Sequence, residues 1–223
     1  MINLVNQWHN LTPDDTLKGL DSRNSGLTTD EVKARLLRYG LNELKAKKEK
    51  PLILVFLQQF LNPLIYVLLV ATGISIAAQH FVDAIVIFTV LLLNAIIGTV
   101  QETQAEKAMK ALMEMAAPKA KIKRSDKIDI LPAREIVPGD ILLFESGDKV
   151  PADVRLIEAS NLKANESTLT GESMPVEKQT DPVGEDTAIA DRENMLYMGT
   201  IITNGRATGV AVATGMNTEM GIR

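Results

Sequence analysis

Hydrophobic and polar positions follow three different patterns along this chain. From Met1 to Lys50 the sequence is polar with short amphipathic pieces. The run Leu27-Thr-Thr-Asp-Glu-Val-Lys-Ala-Arg-Leu-Leu37 offers Thr28 or Thr29 as an N-cap, with acids in the first turn. It sets Val32, Leu36 and Leu37 toward one face, and Gly40 after Tyr39 supplies a stop. This pattern predicts one short helix.

The second zone holds two apolar runs. Leu52 to Ala78 is interrupted by Gln58, Gln59, Asn62 and Pro63, and Ala84 to Val100 by Thr89, Asn94 and Thr99. A helix rises about 1.5 Å per residue and must cross roughly 30 Å of hydrocarbon, so about twenty residues suffice. The second run reaches that length once Phe81 and Val82 are included. The first exceeds it, leaving room for an interfacial opening segment and a kink near Pro63. Gln79-His-Phe-Val-Asp83 between them is a tight turn, so the runs predict an antiparallel membrane hairpin. A buried helical hairpin of a soluble protein is the alternative, but nothing else in the chain would cover two such faces.

Lys45, Lys47, Lys48 and Lys50 flank one end of the hairpin, Lys107 and Lys110 the other, and the turn has no Lys or Arg. The positive-inside rule then places both flanks in the cytoplasm and the turn outside. After Val100 the segment Gln101 to Met115 consists of good helix formers, with Ala105, Ala108, Met109, Leu112 and Ala116 at helical spacing. The second span is expected to continue as a stalk up to Pro118, its methionines serving packing.

From Lys119 to Arg223 the period shortens to two. Lys127-Ile-Asp-Ile-Leu, Asp140-Ile-Leu-Leu-Phe, Asp153-Val-Arg-Leu-Ile and the run from Arg206 to Thr214 are separated by Pro-Gly-Asp, Ser-Gly-Asp, Asn-Gly and Thr-Gly turns. They predict an all-β domain large enough for one core. Asp140, Asp148 and Asp153 are expected to stabilise turns through bonds to backbone rather than to bind metal.

Composition narrows the function. A net charge of -4 gives no reason to expect nucleic acid. Absence of cysteine excludes disulfides and thiolate metal sites, and two distant histidines, His9 and His80, make a zinc site improbable. The mean hydropathy of +0.06 is high for a chain with 23% charged residues, and the excess lies between Pro51 and Val100. No secretory signal follows Met1, so insertion through internal spans is expected.

Val137-Pro-Gly-Asp-Ile, Gly147-Asp-Lys-Val-Pro-Ala-Asp-Val-Arg-Leu and Leu169-Thr-Gly-Glu-Ser-Met-Pro-Val-Glu-Lys178 follow one another in order. Met198-Gly-Thr-Ile and Ala213-Thr-Gly-Met-Asn-Thr-Glu-Met-Gly close the series. It resembles the actuator domain of P-type cation-transporting ATPases. Upstream, Asn94-Ala-Ile-Ile-Gly98 with Gln101-Glu102, Gly26-Leu-Thr and Tyr39-Gly-Leu-Asn-Glu-Leu44 are similar to the calcium-pump branch, so the resemblance covers almost the whole chain. Asn165-Glu166-Ser167 departs from it, since the family more often has an aspartate first. The resemblance implies an α+β protein: a transmembrane helical hairpin with a long stalk helix plus a cytoplasmic, distorted jelly-roll-like actuator domain. Residues 1–50 would form a cytoplasmic segment packing with that domain, 51–118 the spans and stalk, and 119–223 the actuator domain.

In this family ATP phosphorylates an aspartate on another domain, and the acyl phosphate must then be hydrolysed. Water attacks a dianionic phosphoryl group poorly unless it is positioned and relieved of a proton. Glu172 is the candidate for that task. Gly171 lets backbone approach phosphate, and Thr170 and Ser173 offer hydroxyls, Ser173 also as a brace for the carboxylate. Thr-Gly-Glu alone would favour a solvated surface turn over a catalytic loop; the surrounding series reverses that. Structural roles are expected for Glu166 and Asp153.

No Asp-Lys-Thr-Gly-Thr motif and no Gly-rich nucleotide loop occurs in the sequence. No cofactor or metal is therefore assigned to this chain, and ATP and Mg²⁺ are expected only for the complete pump. The expected partners are the lipid bilayer, the phosphorylation and nucleotide-binding domains of the same pump, and a transported cation. The chain reads as a fragment, a truncated product or half of a split pump in a prokaryotic plasma membrane. The alternative is a non-catalytic, membrane-anchored regulator. Gln58-Gln-Phe-Leu-Asn62 lacks the acids that calcium pumps tend to carry there, so the ion stays open, and Asp83 is an interfacial charge.

Overall fold

In the computed structural model, which describes residues 7–44, 51–115, 118–171 and 174–222, the alternating segments from Lys119 onward form one antiparallel sheet of seven strands. These are β1 (Lys119–Arg124), β2 (Lys127–Pro132), β3 (Ile141–Glu145), β4 (Asp153–Asn165), β5 (Val176–Glu177), β6 (Met195–Leu196) and β7 (Ile201–Ala213). Their order is β2-β1-β3-β7-β4-β5, with β6 on β4. Successive side chains of a strand point to opposite faces. Leu142, Phe144, Val154, Leu156 and Ala211 therefore enter one buried cluster, with Ile122, Leu196 and Ile202. Ile141, Val210 and Val212 enter another. The β4–β7 pair slips register at several points, so it is bulged along its length.

The second face is covered by the N-terminal segment. Trp8, Leu17 and Leu20 pack there with Tyr197 and Leu169. Leu17 lies on helix α1 (Pro13–Gly19), which has Pro at its first position and is capped by Thr12, whose Oγ1 accepts from Asp15 N at 3.2 Å. Helix α2 (Thr29–Tyr39) has the expected start, a reciprocal capping box between Thr28 and Glu31, and ends at Gly40 with φ +78°. Val32 is buried and Leu36 partly so, but Leu37 is 90% exposed. At 100° per residue Leu37 lies about 140° round the helix from Val32, which takes it off the packed face.

Polar side chains stitch this segment to the sheet. Arg35 donates to the carbonyls of Pro138, at 2.6 Å, and Leu20, at 2.7 Å. Asn42 donates to Ala133 O and Pro151 O, both at 2.9 Å, and accepts from Gly215 N at 2.7 Å. The guanidinium of Arg155 is fully buried and donates to the carbonyls of Trp8, Leu11 and Thr180 at 3.1, 2.7 and 2.9 Å. The turn aspartates behave as their positions suggest. Asp140 accepts from Val137 N at 2.9 Å and Asp148 from Glu145 N at 2.8 Å. Asp140 also takes a two-pronged contact from Arg124, at 2.8 and 2.6 Å. Asp153 instead reaches distant backbone, accepting from Met198 N at 2.9 Å and Glu219 N at 2.7 Å.

Residues 51–115 form a separate unit. The first apolar run is divided into α3 (Leu52–Gln59) and α4 (Pro63–Ala77). Proline lacks an amide hydrogen and disfavours helical geometry in the residue before it, so the break falls just ahead of Pro63, as expected. The 15 residues of α4 rise about 22 Å, with α3 ahead of the break in the place of the separate opening segment that the first run leaves room for. Among the described residues one helix is long and apolar enough to cross a membrane, over Phe81–Met109 of α5 (Phe81–Met115). Its 35 residues span about 52 Å, well beyond a hydrocarbon core, so the apolar part and the polar stalk share one helix.

The α4–α5 turn is tighter than expected, because Phe81, Val82 and Asp83 already belong to the first turn of α5. Thr72, Thr89, Thr99 and Thr103 return their hydroxyls to carbonyls four residues earlier, at 2.7–2.8 Å, so no hydroxyl among them faces apolar surroundings unpaired. Gln59 donates to Glu102 at 2.9 Å.

Candidate active-site loop

The Thr-Gly-Glu segment leaves the end of β4. Asn165 Oδ1 accepts from Ser167 N at 2.9 Å, which starts the single helical turn α6 (Ser167–Thr170). The carbonyl of Glu166 accepts from Leu169 N at 2.8 Å and Thr170 N at 3.0 Å, and Thr170 Oγ1 donates to it at 3.2 Å. Leu169 is buried beside Tyr197 and anchors the turn to the sheet. Gly171 closes it, its amide donating to Ser167 O at 3.0 Å.

Gly171 has φ +80° and ψ -5°, the left-handed conformation that a β-carbon disfavours. A β-carbon added there would meet no atom within 4 Å, so glycine is required by backbone shape and not by crowding. Of the four residues predicted to act, the structure brings Thr170 and Gly171 together at the exit of α6. Glu172 and Ser173 lie outside the described residues.

The chain re-enters at Met174, which is 81% exposed. It then pairs back onto the strand it left, with Ala164 opposite Val176 and Lys163 opposite Glu177. Lys178 N donates to Leu162 O at 2.9 Å. Lys178 Nζ lies 2.6 Å from Glu166 Oε1, with both side chains almost wholly buried. Burial pushes the Glu166 carboxyl up and the Lys178 ammonium down, and their mutual attraction opposes both. Both arms of the loop are thus fixed to one strand, while its described ends, Gly171 and Met174, are exposed.

Lys178 closed the quoted motif but had no role in the sequence reading. Glu166 and Lys178 stand on either side of the Thr-Gly-Glu stretch, and two opposite charges framing a loop were the only available signal. Arg155 was missed too, since its partners are carbonyls that no side-chain pattern betrays. Among the described residues no group of three or more His, Asp or Glu could hold a metal ion.

Comparison with known proteins gives these residues a context. Residues 114–222 match the family model described as the P-type ATPase actuator domain, and residues 8–75 match the cation transporter/ATPase N-terminus. The calcium-transporting ATPase 1 of Bacillus cereus is 42% identical over 97% of this chain and 25% of its own length. The probable cation-transporting ATPase F of Mycobacterium bovis is 47% identical over 88% of this chain and 22% of its own. The calcium-transporting ATPase of Bacillus subtilis is 43% identical over 96% and 24%. The chain therefore spans about a quarter of the length of these curated relatives. With both family models matched in order and the actuator sheet built around its loop, the chain belongs to the P-type cation-transporting ATPases, in their N-terminal region.

Proposed function

We propose that this chain is the N-terminal part of an ATP-driven cation pump and that its loop promotes hydrolysis of an aspartyl phosphate formed on another domain of that pump. The observation that carries this reading is the loop's construction: its described ends, Gly171 and Met174, are exposed and its two arms are fixed to β4. Such a loop can enter a site on a second domain without unfolding its own.

In the reaction, Glu172 accepts a proton from a water molecule held in line with the phosphorus. The water oxygen forms the new P–O bond as the bond to the aspartyl oxygen breaks. The products are a free aspartate carboxylate and inorganic phosphate, and the proton resides on Glu172 until released. Gly171 admits backbone close to the phosphoryl oxygens, and the hydroxyls of Thr170 and Ser173 donate to them or to Glu172. Thr170 would have to turn its hydroxyl away from Glu166 O to do so.

In the complete pump ATP supplies the phosphoryl group and Mg²⁺ its charge compensation. The described residues do not fit either, offering neither a metal-binding cluster nor a Gly-rich nucleotide loop, so no step on this chain runs through them. We place α4 and α5 in a prokaryotic plasma membrane with both flanks cytoplasmic, as the Lys distribution and the bacterial relatives suggest. The stalk half of α5 then ties motion of the loop's domain to the membrane.

The test is Glu172→Gln in a complete pump carrying this segment. Phosphoenzyme should form from ATP as in the unmodified pump and its decay should slow about 100-fold or more, the range for loss of a general base. Normal turnover would refute the assignment.

A further inference from the structure

The reaction just described leaves one buried charged pair without a role. Glu166 precedes α6 and Lys178 follows β5, so they stand at the two ends of the loop, and their side chains meet at 2.6 Å. Among the described residues the Lys178 ammonium is the one polar group found at the carboxylate, where it donates to Oε1, so it is the carboxylate's compensation. Lys178 Nζ also donates to Arg192 O at 3.4 Å.

A buried ion pair adds little stability over a packed apolar pair of the same volume; what it supplies is a fixed mutual position. The backbone alone ties the returning arm weakly. β5 has two residues, and they pair with β4 where the β4–β7 register slips between Lys163 and Ala164. A two-residue strand beside a bulge is a poor strut.

We propose that Glu166 and Lys178 are positioning residues for dephosphorylation, holding the two arms of the loop at a constant separation so that Glu172 meets the phosphoryl group in one geometry. This rests on the role given to Glu172 above. A displacement of about 1 Å in a reacting group can slow a reaction by about 100-fold, so slackening the loop's base should register in the hydrolytic step. Formation of the phosphoenzyme, which does not use this loop, should be spared.

The experiment measures formation and decay of the phosphoenzyme in the complete pump for Lys178→Met, Glu166→Gln, the double variant Glu166→Gln/Lys178→Met, and Glu172→Gln. The double variant leaves no buried charge and keeps side-chain volume, so it guards against a single variant that fails to fold. Expected are near-normal phosphorylation and decay slowed about tenfold or more in the double variant, with Glu172→Gln slower still. Wild-type decay in the double variant, with Glu172→Gln stalled, overturns the positioning role and leaves the Glu172 reading intact. Normal decay in Glu172→Gln overturns both.

Discussion

Arg155→Met tests whether the N-terminal segment is held to the sheet mainly by one guanidinium. Arg155 lies on β4, on the opposite face from Val154 and Leu156, and three of its bonds cross to distant carbonyls of Trp8, Leu11 and Thr180. Burial pulls its pKa down to about 10, so it stays charged at neutral pH. Hydrogen bonds from a charged donor contribute about 1.5 kcal/mol or more each, so three lost bonds amount to about 5 kcal/mol. Methionine also removes the desolvation penalty of the cation, which leaves a net loss of about 2–4 kcal/mol. Trp8, the single tryptophan, packs its ring against Gly19, so its fluorescence reports docking of the segment. With a urea m-value of about 1–3 kcal/mol per molar, the midpoint of a titration on the detergent-solubilised chain should fall by about 1–2 M. Emission of Trp8 should shift to the red before the sheet melts. A midpoint within about 0.3 M of the wild type on that scale, with unshifted emission, would refute the reasoning.

Two further outcomes are expected. Burial raises the Asp153 carboxyl from its ordinary range to about 6, against the bonds from Met198 N and Glu219 N that favour its charged form. The folded state then holds the proton more tightly than the unfolded state, so this group's contribution to stability falls as pH rises from about 4 to about 6, by about 3 kcal/mol. Urea titrations of the wild type and Asp153→Asn across that window should diverge by this slope, and parallel curves would contradict it. Gly171→Ala should lower stability by about 1 kcal/mol, and Gly171→Asn by less because asparagine enters the left-handed region more readily. Thermal melts of the two variants that coincide would show that the backbone conformation is not what requires glycine.

How much of this could be read in the sequence depended on whether the information was local. The capping box at Thr28 and Glu31, the break before Pro63 and the turn bonds of Asp140 and Asp148 involve residues at most four apart, and the sequence displays them. β1 is not legible in the sequence because Lys119, Lys121 and Lys123 alternate with residues of which only Ile122 is a large apolar side chain. The sequence marks β4 only as far as Ile157, since its outer half, from Glu158 to Asn165, is largely polar and takes its partners from β5 and β7. Arg155 and the Glu166–Lys178 pair are matters of tertiary structure, set by which carbonyls and charges the fold brings within reach.

The same division runs through the candidate active-site loop. The part proposed to react is a short string whose chemistry is legible because each residue type states what it can do: a carboxylate takes a proton, a glycine bends the chain, a hydroxyl donates. Its support is spread over β4, α6, β5 and the N-terminal segment, in residues that look like ordinary strand and linker. On the proposed function the loop meets a phosphoryl group on another domain and needs both parts, since a carboxylate on a slack turn would reach the phosphorus in many orientations and few productive ones. Leu169 in the core, Gly171 in the left-handed region and Lys178 on Glu166 each remove one freedom from that turn. On the function proposed above, motif and buried clamp act as one device, and substitutions at its base should appear in the rate of hydrolysis before they appear in the stability of the domain.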